Sequence, residues 1–106
     1  LLASLIMKSM RSVDIVARYG GEEFVVILPD TALAEAVLVA ERLRNAALNL
    51  LKIAENPLVR GEMLTISLGV ASAPKHGLDA QDLLKAADRF LYQAKHTGKN
   101  RVGFSE

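Results

Sequence analysis

Hydrophobic and polar positions follow two different periods along the 106-residue chain, and the local period predicts the type of each element. Apolar residues at helical spacing predict three helices, at residues 1–12, 32–52 and 80–97. Short alternating or β-branched runs predict four strands, at residues 14–19, 23–28, 63–73 and 101–104. The predicted order is therefore α-β-β-α-β-α-β.

Two adjacent glycines connect the first two predicted strands. Gly20 and Gly21 tolerate positive φ, so this connection is typical of a hairpin. A hairpin combined with helical crossovers favours the α+β class, with a mixed, antiparallel-containing sheet flanked by helices.

Several single residues predict where helices begin and end. Asp30 or Thr31 is expected to cap the second helix, and Asp79 the third. Gly98 is expected to terminate the third helix. Gly69 interrupts a strongly strand-like run and is expected to mark a bulge or a close approach of another backbone.

Composition narrows the functional classes. The chain is 51% hydrophobic with a mean hydropathy of +0.23, which indicates one folded domain rather than disorder. Lys and Arg number 13 against 12 Asp and Glu, so neither a nucleic-acid polymer nor a membrane surface is the expected partner. The apolar run at residues 1–7 is too short to insert across a membrane. The absence of cysteine excludes disulfides and fits a cytoplasmic location.

The hairpin connection carries the strongest candidate chemistry. Glu22 and Glu23 follow Gly20 and Gly21 directly. Glycines allow a ligand to approach the backbone closely, and adjacent carboxylates suit Mg²⁺ bound together with phosphates. Spacing alone equally fits a solvated hairpin tip whose two charges serve solubility.

Three sequence blocks together resemble a known family. Arg18 to Phe24 (RYGGEEF) resembles the signature of GGDEF-family diguanylate cyclases in its glutamate variant. Thr65 to Ala71 (TISLGVA) is similar to the family's downstream strand, and Leu83 to Arg101 to its final helix and the following turn. The resemblance implies a nucleotide-cyclase fold with a ferredoxin-like βαββαβ core.

The resemblance also implies a reaction. Family members condense two GTP molecules into cyclic di-GMP and pyrophosphate, in a homodimer whose two protomers form one active site. Glu22 falls at the essential acidic position, as a catalytic residue and a ligand of Mg²⁺ or Mn²⁺, and Glu23 is the neighbouring metal-related acid. Gly20 and Gly21 fall where the backbone packs against GTP.

Two lysines match the family's basic positions near the triphosphate. These are Lys95 and Lys99. The family generally has arginine where Lys99 stands, so a two-pronged phosphate contact becomes a single point charge. The alternative is that both lysines only complement the negative end of the last helix.

A second motif lies upstream of the hairpin. Arg11 and Asp14 form an RxxD pattern, with five residues between Asp14 and Gly20. At this offset the family has an inhibitory site that binds cyclic di-GMP, and Arg42 matches a further arginine of that site. Arg can contact guanine O6 and N7, and Asp can accept from guanine N–H groups. The alternative is a solvated Arg–Asp pair of little energetic value.

The family's first strand and its Asp-rich segment have no counterpart in this sequence. We therefore expect residues 1–106 to form a single partial domain that lacks the first central strand, is inactive alone and tends to pair through exposed sheet edges. The parent protein is expected to have an upstream sensory or receiver domain, and possesses a membrane anchor only if another domain supplies one. The alternative function is a degenerate module that senses GTP or cyclic di-GMP without turnover.

The remaining histidines and aromatics are assigned no chemistry. His76 and His96 lack a second histidine at ligand spacing, so no metal role is expected. The aromatic residues are expected to pack in or beside the core rather than stack on bases. They are Tyr19, Phe24, Phe90 and Tyr92.

Overall fold

A computed structural model describes residues 2–18, 24–54 and 66–106, and it confirms the predicted order of elements. The helices are α1 (Leu2–Ser9), α2 (Leu33–Ala54) and α3 (Ala80–His96). The strands are β1 (Ile15–Arg18), β2 (Phe24–Ile27), β3 (Leu68–Gly69) and β4 (Val102–Gly103). Two small sheets flanked by helices confirm the α+β class. The chain divides into two compact units, Leu1–Thr31 and Ala32–Glu106.

The first unit contains α1 and the antiparallel pair β1–β2. Ile15 pairs with Ile27 and Val16 with Val26, as expected for a hairpin whose connection lies outside the described residues. Ile15 and Ile27 are 55% and 52% exposed, whereas Val16 and Val26 are half-buried. Alternate residues of a strand point to opposite faces, so one face of this pair is apolar and open in the described unit.

The first helix is shorter than predicted. The sequence predicted a helix over residues 1–12, but α1 ends at Ser9. Beyond it, Asp14 accepts the Arg11 amide with its carboxylate, at 2.8 Å, and donates its own amide to the Arg11 carbonyl, at 3.1 Å. A side chain that bonds nearby backbone in this way competes with helical bonding, which explains the early end.

The second unit contains α2, α3 and the parallel pair β3–β4. Leu68 pairs with Val102 and Gly69 with Gly103, and α3 supplies the crossover that a parallel pair requires. The predicted strand over residues 63–73 is wrong in extent, since residues 66–67 and 70–73 are not strand and 63–65 lie outside the described residues. Two backbone bonds hold the short pair: the Leu68 amide donates to the Arg101 carbonyl at 3.0 Å, and the Val70 amide donates to the Gly103 carbonyl at 2.9 Å.

Both strands of this pair contact the backbone of α3 directly. A Cβ added at Gly69 would overlap the carbonyl oxygen of Ala87, and one at Gly103 would overlap the carbonyl oxygen of Phe90. The expected close approach at Gly69 is therefore confirmed. Core residues of this unit recur at helical spacing on both long helices: Ala40, Leu43, Ala47, Ala86, Phe90 and Ala94.

Two of the predicted helix ends are confirmed and one is wrong. The Asp79 carboxylate accepts from the Asp82 amide at 2.8 Å, which is the predicted N-cap of α3. Gly98 follows the end of α3 with φ +135. Thr31 makes no capping bond to α2: its hydroxyl oxygen accepts from Arg11 Nη2 at 3.0 Å, and its proton is donated to the Pro29 carbonyl at 2.9 Å. The alternative cap, Asp30, has φ 50, outside the extended backbone of a helix N-cap.

In the described parts of the chain, no helix has the length and apolar character needed to cross a membrane.

Candidate functional site

The RxxD motif forms a closed turn between α1 and β1. Two bonds that involve backbone amides already join Arg11 and Asp14. In addition, the Arg11 guanidinium donates to Asp14 Oδ1 from Nε at 3.1 Å and from Nη2 at 2.8 Å. The Asp14 side chain is 3% exposed and that of Arg11 is 55% exposed. The aspartate is thus the inner member of the pair, and the arginine presents its outer surface to solvent.

Arg11 also bonds the segment that follows β2. Its Nη2 donates to the Pro29 carbonyl at 3.1 Å and to the Thr31 hydroxyl at 3.0 Å. These contacts fix the plane of the guanidinium, because donors on one rigid fork meet acceptors from two chain segments. The sequence did not indicate the contacts to Pro29 and Thr31.

The charge state of this pair follows from the geometry. Hydrogen bonds from the Arg11 side chain, more than any other interaction, hold the pKa of Asp14 below its ordinary value of 3.8. The turn therefore contains an ionised aspartate and a protonated arginine at neutral pH.

The third residue assigned to the inhibitory site lies in the other unit. Arg42 occupies an exposed position of α2. Its grouping with Arg11 and Asp14 stays a prediction.

The two lysines of the predicted triphosphate site lie at the end of α3 and just beyond it. Lys95 is exposed in the last helical turn, and Lys99 is exposed in the loop before β4. Lys99 and Asn100 have φ values of 58 and 48, in the left-handed region that side-chain-bearing residues seldom adopt. The Lys99 amide donates to the Ala94 carbonyl at 3.0 Å, which closes the C-terminus of α3.

Arg44 is a residue of α2 that the sequence does not single out. Its side chain is only 19% exposed. Its guanidinium donates to Glu41 Oε2 from Nε and Nη2, at 3.1 and 2.8 Å, and to Asn100 Oδ1 from Nη1 at 3.1 Å. The Glu41–Arg44 spacing of three residues signalled the ion pair, but no local pattern indicated the bond to Asn100.

His76 connects two segments of the second unit. The Ser72 amide donates to Nδ1 at 2.8 Å, so Nε2 carries the proton and donates to the Ser105 carbonyl at 2.7 Å. The ring also meets the edge of Phe90, with centroids 5.1 Å apart. Both ring nitrogens are therefore used to hold the turn and the C-terminal segment together.

The predicted packing of the aromatic residues is partly confirmed. Phe90 is 4% exposed in the core, and Phe24 is half-buried, but Tyr92 is 63% exposed, so its prediction is wrong. Tyr92 instead stacks on His96 one turn later, with ring centroids 3.8 Å apart. Tyr19 lies outside the described residues.

The Gly-Gly-Glu-Glu segment, residues 20–23, also lies outside the described residues. Within the described ranges, no group of three or more His, Cys, Asp or Glu side chains is placed to hold a metal ion. The predicted metal ligands Glu22 and Glu23 belong to the segment outside the described residues, so this metal site stays a prediction. Two adjacent carboxylates are a donor set that fits a hard divalent cation shared with phosphate oxygens.

Comparison with known proteins identifies the family. The protein-family model of the diguanylate cyclase GGDEF domain matches residues 1–101 of this chain. The chain is 46% identical over 99 residues to the response regulator PleD of Caulobacter vibrioides, and this match covers 89% of the chain and 20% of PleD. The chain therefore belongs to the GGDEF domain family.

Solved structures agree with this assignment. The active GGEEF domain of a diguanylate cyclase from Vibrio cholerae matches with a TM-score of 0.76 and 27% identity, over 99% of this chain and 64% of that one. The GGDEF domain of DgcB from Caulobacter crescentus, in complex with c-di-GMP, matches with a TM-score of 0.78 and 27% identity, over 97% and 60%. The chain thus spans about a fifth of PleD and less than two-thirds of these two domains.

Proposed function

We propose that this chain is the nucleotide-binding and product-sensing part of a diguanylate cyclase that converts two GTP molecules into cyclic di-GMP and pyrophosphate. The observation that carries the proposal is the closed Arg11–Asp14 turn, in a chain whose family match extends over residues 1–101. The similarity to an active GGEEF domain and to a domain bound to c-di-GMP supports both parts of the proposal.

The proposed substrate contacts lie at the hairpin tip and at the end of α3. Gly20 and Gly21 allow close approach of GTP, and Glu22 orients and deprotonates the attacking ribose 3′-hydroxyl. Lys95 and Lys99 attract the triphosphate.

Glu22 and Glu23 are the proposed ligands of Mg²⁺ or Mn²⁺. A divalent cation bound to such carboxylates neutralises charge that develops on phosphate oxygens during phosphoryl transfer.

The proposed product site divides its roles between Arg11 and Asp14. Both oxygens of the Asp14 carboxylate accept from Arg11, and the side chain is 3% exposed. We assign the guanine contact chiefly to Arg11, whose exposed, planar guanidinium can bond O6 and N7 or stack on the base. Asp14 orients that guanidinium and stabilises its charge, and Arg42 is the proposed additional contact.

Calorimetry with cyclic di-GMP tests the product site. The double variant Arg11→Ala, Asp14→Ala is expected to bind at least about tenfold more weakly, because it removes charge-assisted hydrogen bonds to guanine. Lys85→Ala is the control for the loss of an exposed basic side chain elsewhere, in the middle of α3. Equal binding by the double variant and the unsubstituted chain would contradict the proposed site.

Product formation tests the catalytic part. The 106-residue chain incubated with GTP and Mg²⁺ or Mn²⁺ is expected to make no cyclic di-GMP, because it lacks a counterpart of the family's Asp-rich segment. A longer protein that contains this chain and an upstream Asp-rich segment is expected to be active, as a dimer, and Glu22→Gln should abolish its activity. GTP binding without turnover in that longer protein would favour the sensor alternative, and product from the short chain would refute the expected inactivity.

A further inference from the structure

The loop between α3 and β4 adopts an unusual backbone. Three successive residues, Gly98, Lys99 and Asn100, have φ values of 135, 58 and 48. Glycine adopts such values readily, but a lysine does not, because its Cβ crowds the backbone. The surroundings of Lys99 must therefore hold it in this conformation.

Hydrogen bonds hold Lys99 on both sides of its Cα. Its amide donates to the Ala94 carbonyl at 3.0 Å, and its carbonyl accepts from Arg101 Nε at 3.2 Å. Its side chain is exposed. The backbone of this lysine is therefore restrained while its ammonium group faces solvent.

The next residue is held by two contacts from distant parts of the sequence. The Asn100 amide donates to Ser67 Oγ at 3.1 Å, and its side-chain oxygen accepts from Arg44 Nη1 at 3.1 Å. Asn100 is half-buried, whereas Lys99 is exposed. Asn100 thus connects the loop to the β3 segment and to α2.

Arg44 is well suited to hold this loop. Glu41, one turn earlier on α2, accepts from its Nε and Nη2, so the guanidinium is already oriented when Nη1 meets Asn100. Donors on one planar fork make both contacts at once, which a lysine ammonium cannot reproduce with the same geometry.

We propose that Arg44 is a positioning residue for Lys99: by holding Asn100, it keeps the Lys99 backbone left-handed and so directs its ammonium group at the phosphates of the nucleotide. The proposal rests on the proposed function, in which Lys99 contacts the triphosphate. Arg44 itself touches no substrate in this assignment. Its contribution should therefore exist only while Lys99 has an ammonium group to direct.

A double-mutant cycle of Arg44→Ala and Lys99→Ala tests this dependence. The ligand is GTP with a methylene group between its α- and β-phosphates, in the presence of Mg²⁺, so that turnover does not interfere. Affinity is measured by calorimetry at a temperature where circular dichroism shows every variant to be folded. Lys85→Ala is the control for loss of one positive charge from this unit.

We expect Lys99→Ala to weaken binding about tenfold, as for loss of a charged hydrogen bond. Arg44→Ala should weaken binding about threefold or more, and the double variant should bind no more weakly than Lys99→Ala. Additive losses would show that Arg44 acts independently of Lys99 and would overturn the inference.

The remaining outcomes separate this inference from the proposed function. If Lys99→Ala weakens binding and Arg44→Ala does not, the inference fails while the phosphate role of Lys99 stands. If Lys99→Ala has no effect, or the unsubstituted chain does not bind, the phosphate role fails and the inference fails with it.

Amide hydrogen exchange provides a readout without ligand. Arg44→Ala should speed exchange of the Lys99 and Asn100 amides, whose acceptors are the Ala94 carbonyl and Ser67 Oγ. The Asp82 amide, bonded to Asp79 at the other end of α3, should be unaffected and serves as the internal control. Unchanged exchange at Lys99 and Asn100 would overturn the inference whatever the binding data show.

Discussion

The turn before β1 and the loop before β4 are both held in place by an arginine, but the arginine has a different role in each. Each is a connection that presents one basic side chain, and each is held by an arginine. In the turn before β1, Arg11 both holds the connection and is the proposed ligand contact. In the loop before β4, Arg44 holds the connection and Lys99 is the proposed contact.

The burial of the two arginines matches this division. The side chain of Arg11 is 55% exposed and that of its partner Asp14 is 3% exposed. The side chain of Arg44 is 19% exposed, whereas that of its partner Glu41 is 39% exposed. An exposed arginine remains accessible to a ligand, and a mostly buried one serves the fold. Of these two connections, only the loop before β4 therefore allows a substitution to separate anchoring from binding.

The largest expected effect comes from a substitution in β4, the strand that follows this loop. Gly103→Ala would place a methyl group against the Phe90 carbonyl oxygen and the Ala94 side chain, where α3 lies directly on β4. Relief requires the helix or strand to shift, so we expect a loss of about 1–3 kcal/mol in the free energy of unfolding. Chemical denaturation measures it.

The control for this substitution is Ser105→Ala, two residues further on at an exposed position. It should change stability by less than about 0.5 kcal/mol. A Gly103→Ala protein as stable as this control would contradict the close packing of α3 on β4.

A smaller effect is expected from the turn before β1, where the Arg11–Asp14 pair should make the stability of the protein depend on pH. Hydrogen bonds from Arg11 lower the pKa of Asp14 in the folded chain below its ordinary value of 3.8. The stabilisation is complete above that ordinary value and is lost as the pH falls through the lower, folded pKa. The melting temperature, measured between pH 2 and pH 7, should therefore fall below about pH 4, and Asp14 should contribute to that fall.

Asp14→Asn should make this acid-side decline shallower, because an amide does not titrate. Arg11→Ala should flatten it similarly, since it removes the donors that lower the pKa of Asp14. Arg44→Ala leaves the Arg11–Asp14 pair intact and is the comparison variant. An Asp14→Asn profile parallel to that of the unsubstituted chain would refute the contribution of this pair.

Features set by neighbouring residues were predicted well. The order of all seven elements follows from hydrophobic periodicity, and Asp79 caps α3 as its position directly before the helical run indicates. The strand around Gly69 was predicted too long: among the described residues only Leu68 and Gly69 pair with β4, and such pairing depends on a segment distant in sequence rather than on local β-branched residues.

Two kinds of feature were missed: contacts between distant residues, and which side chains of a helix are buried. Thr31 is one of the two residues expected to cap α2, but its hydroxyl bonds Pro29 and Arg11, the latter 20 residues earlier. Tyr92 was expected in or beside the core, yet it stacks on His96 at the surface, because the buried positions of α3 are Ala86, Phe90 and Ala94.

The sequence alone therefore determined the α+β class, the order of elements, the family and the residues proposed to bind nucleotide. These depend on periodicity, short motifs and caps, which act over a few residues. Only the tertiary structure decided that Asp14 is the inner partner of Arg11 and that Arg44 reaches Asn100, 56 residues away. The Arg44–Asn100 bond forms because packing brings two separate segments together, and it holds Asn100 in a left-handed backbone conformation that local preference would not select.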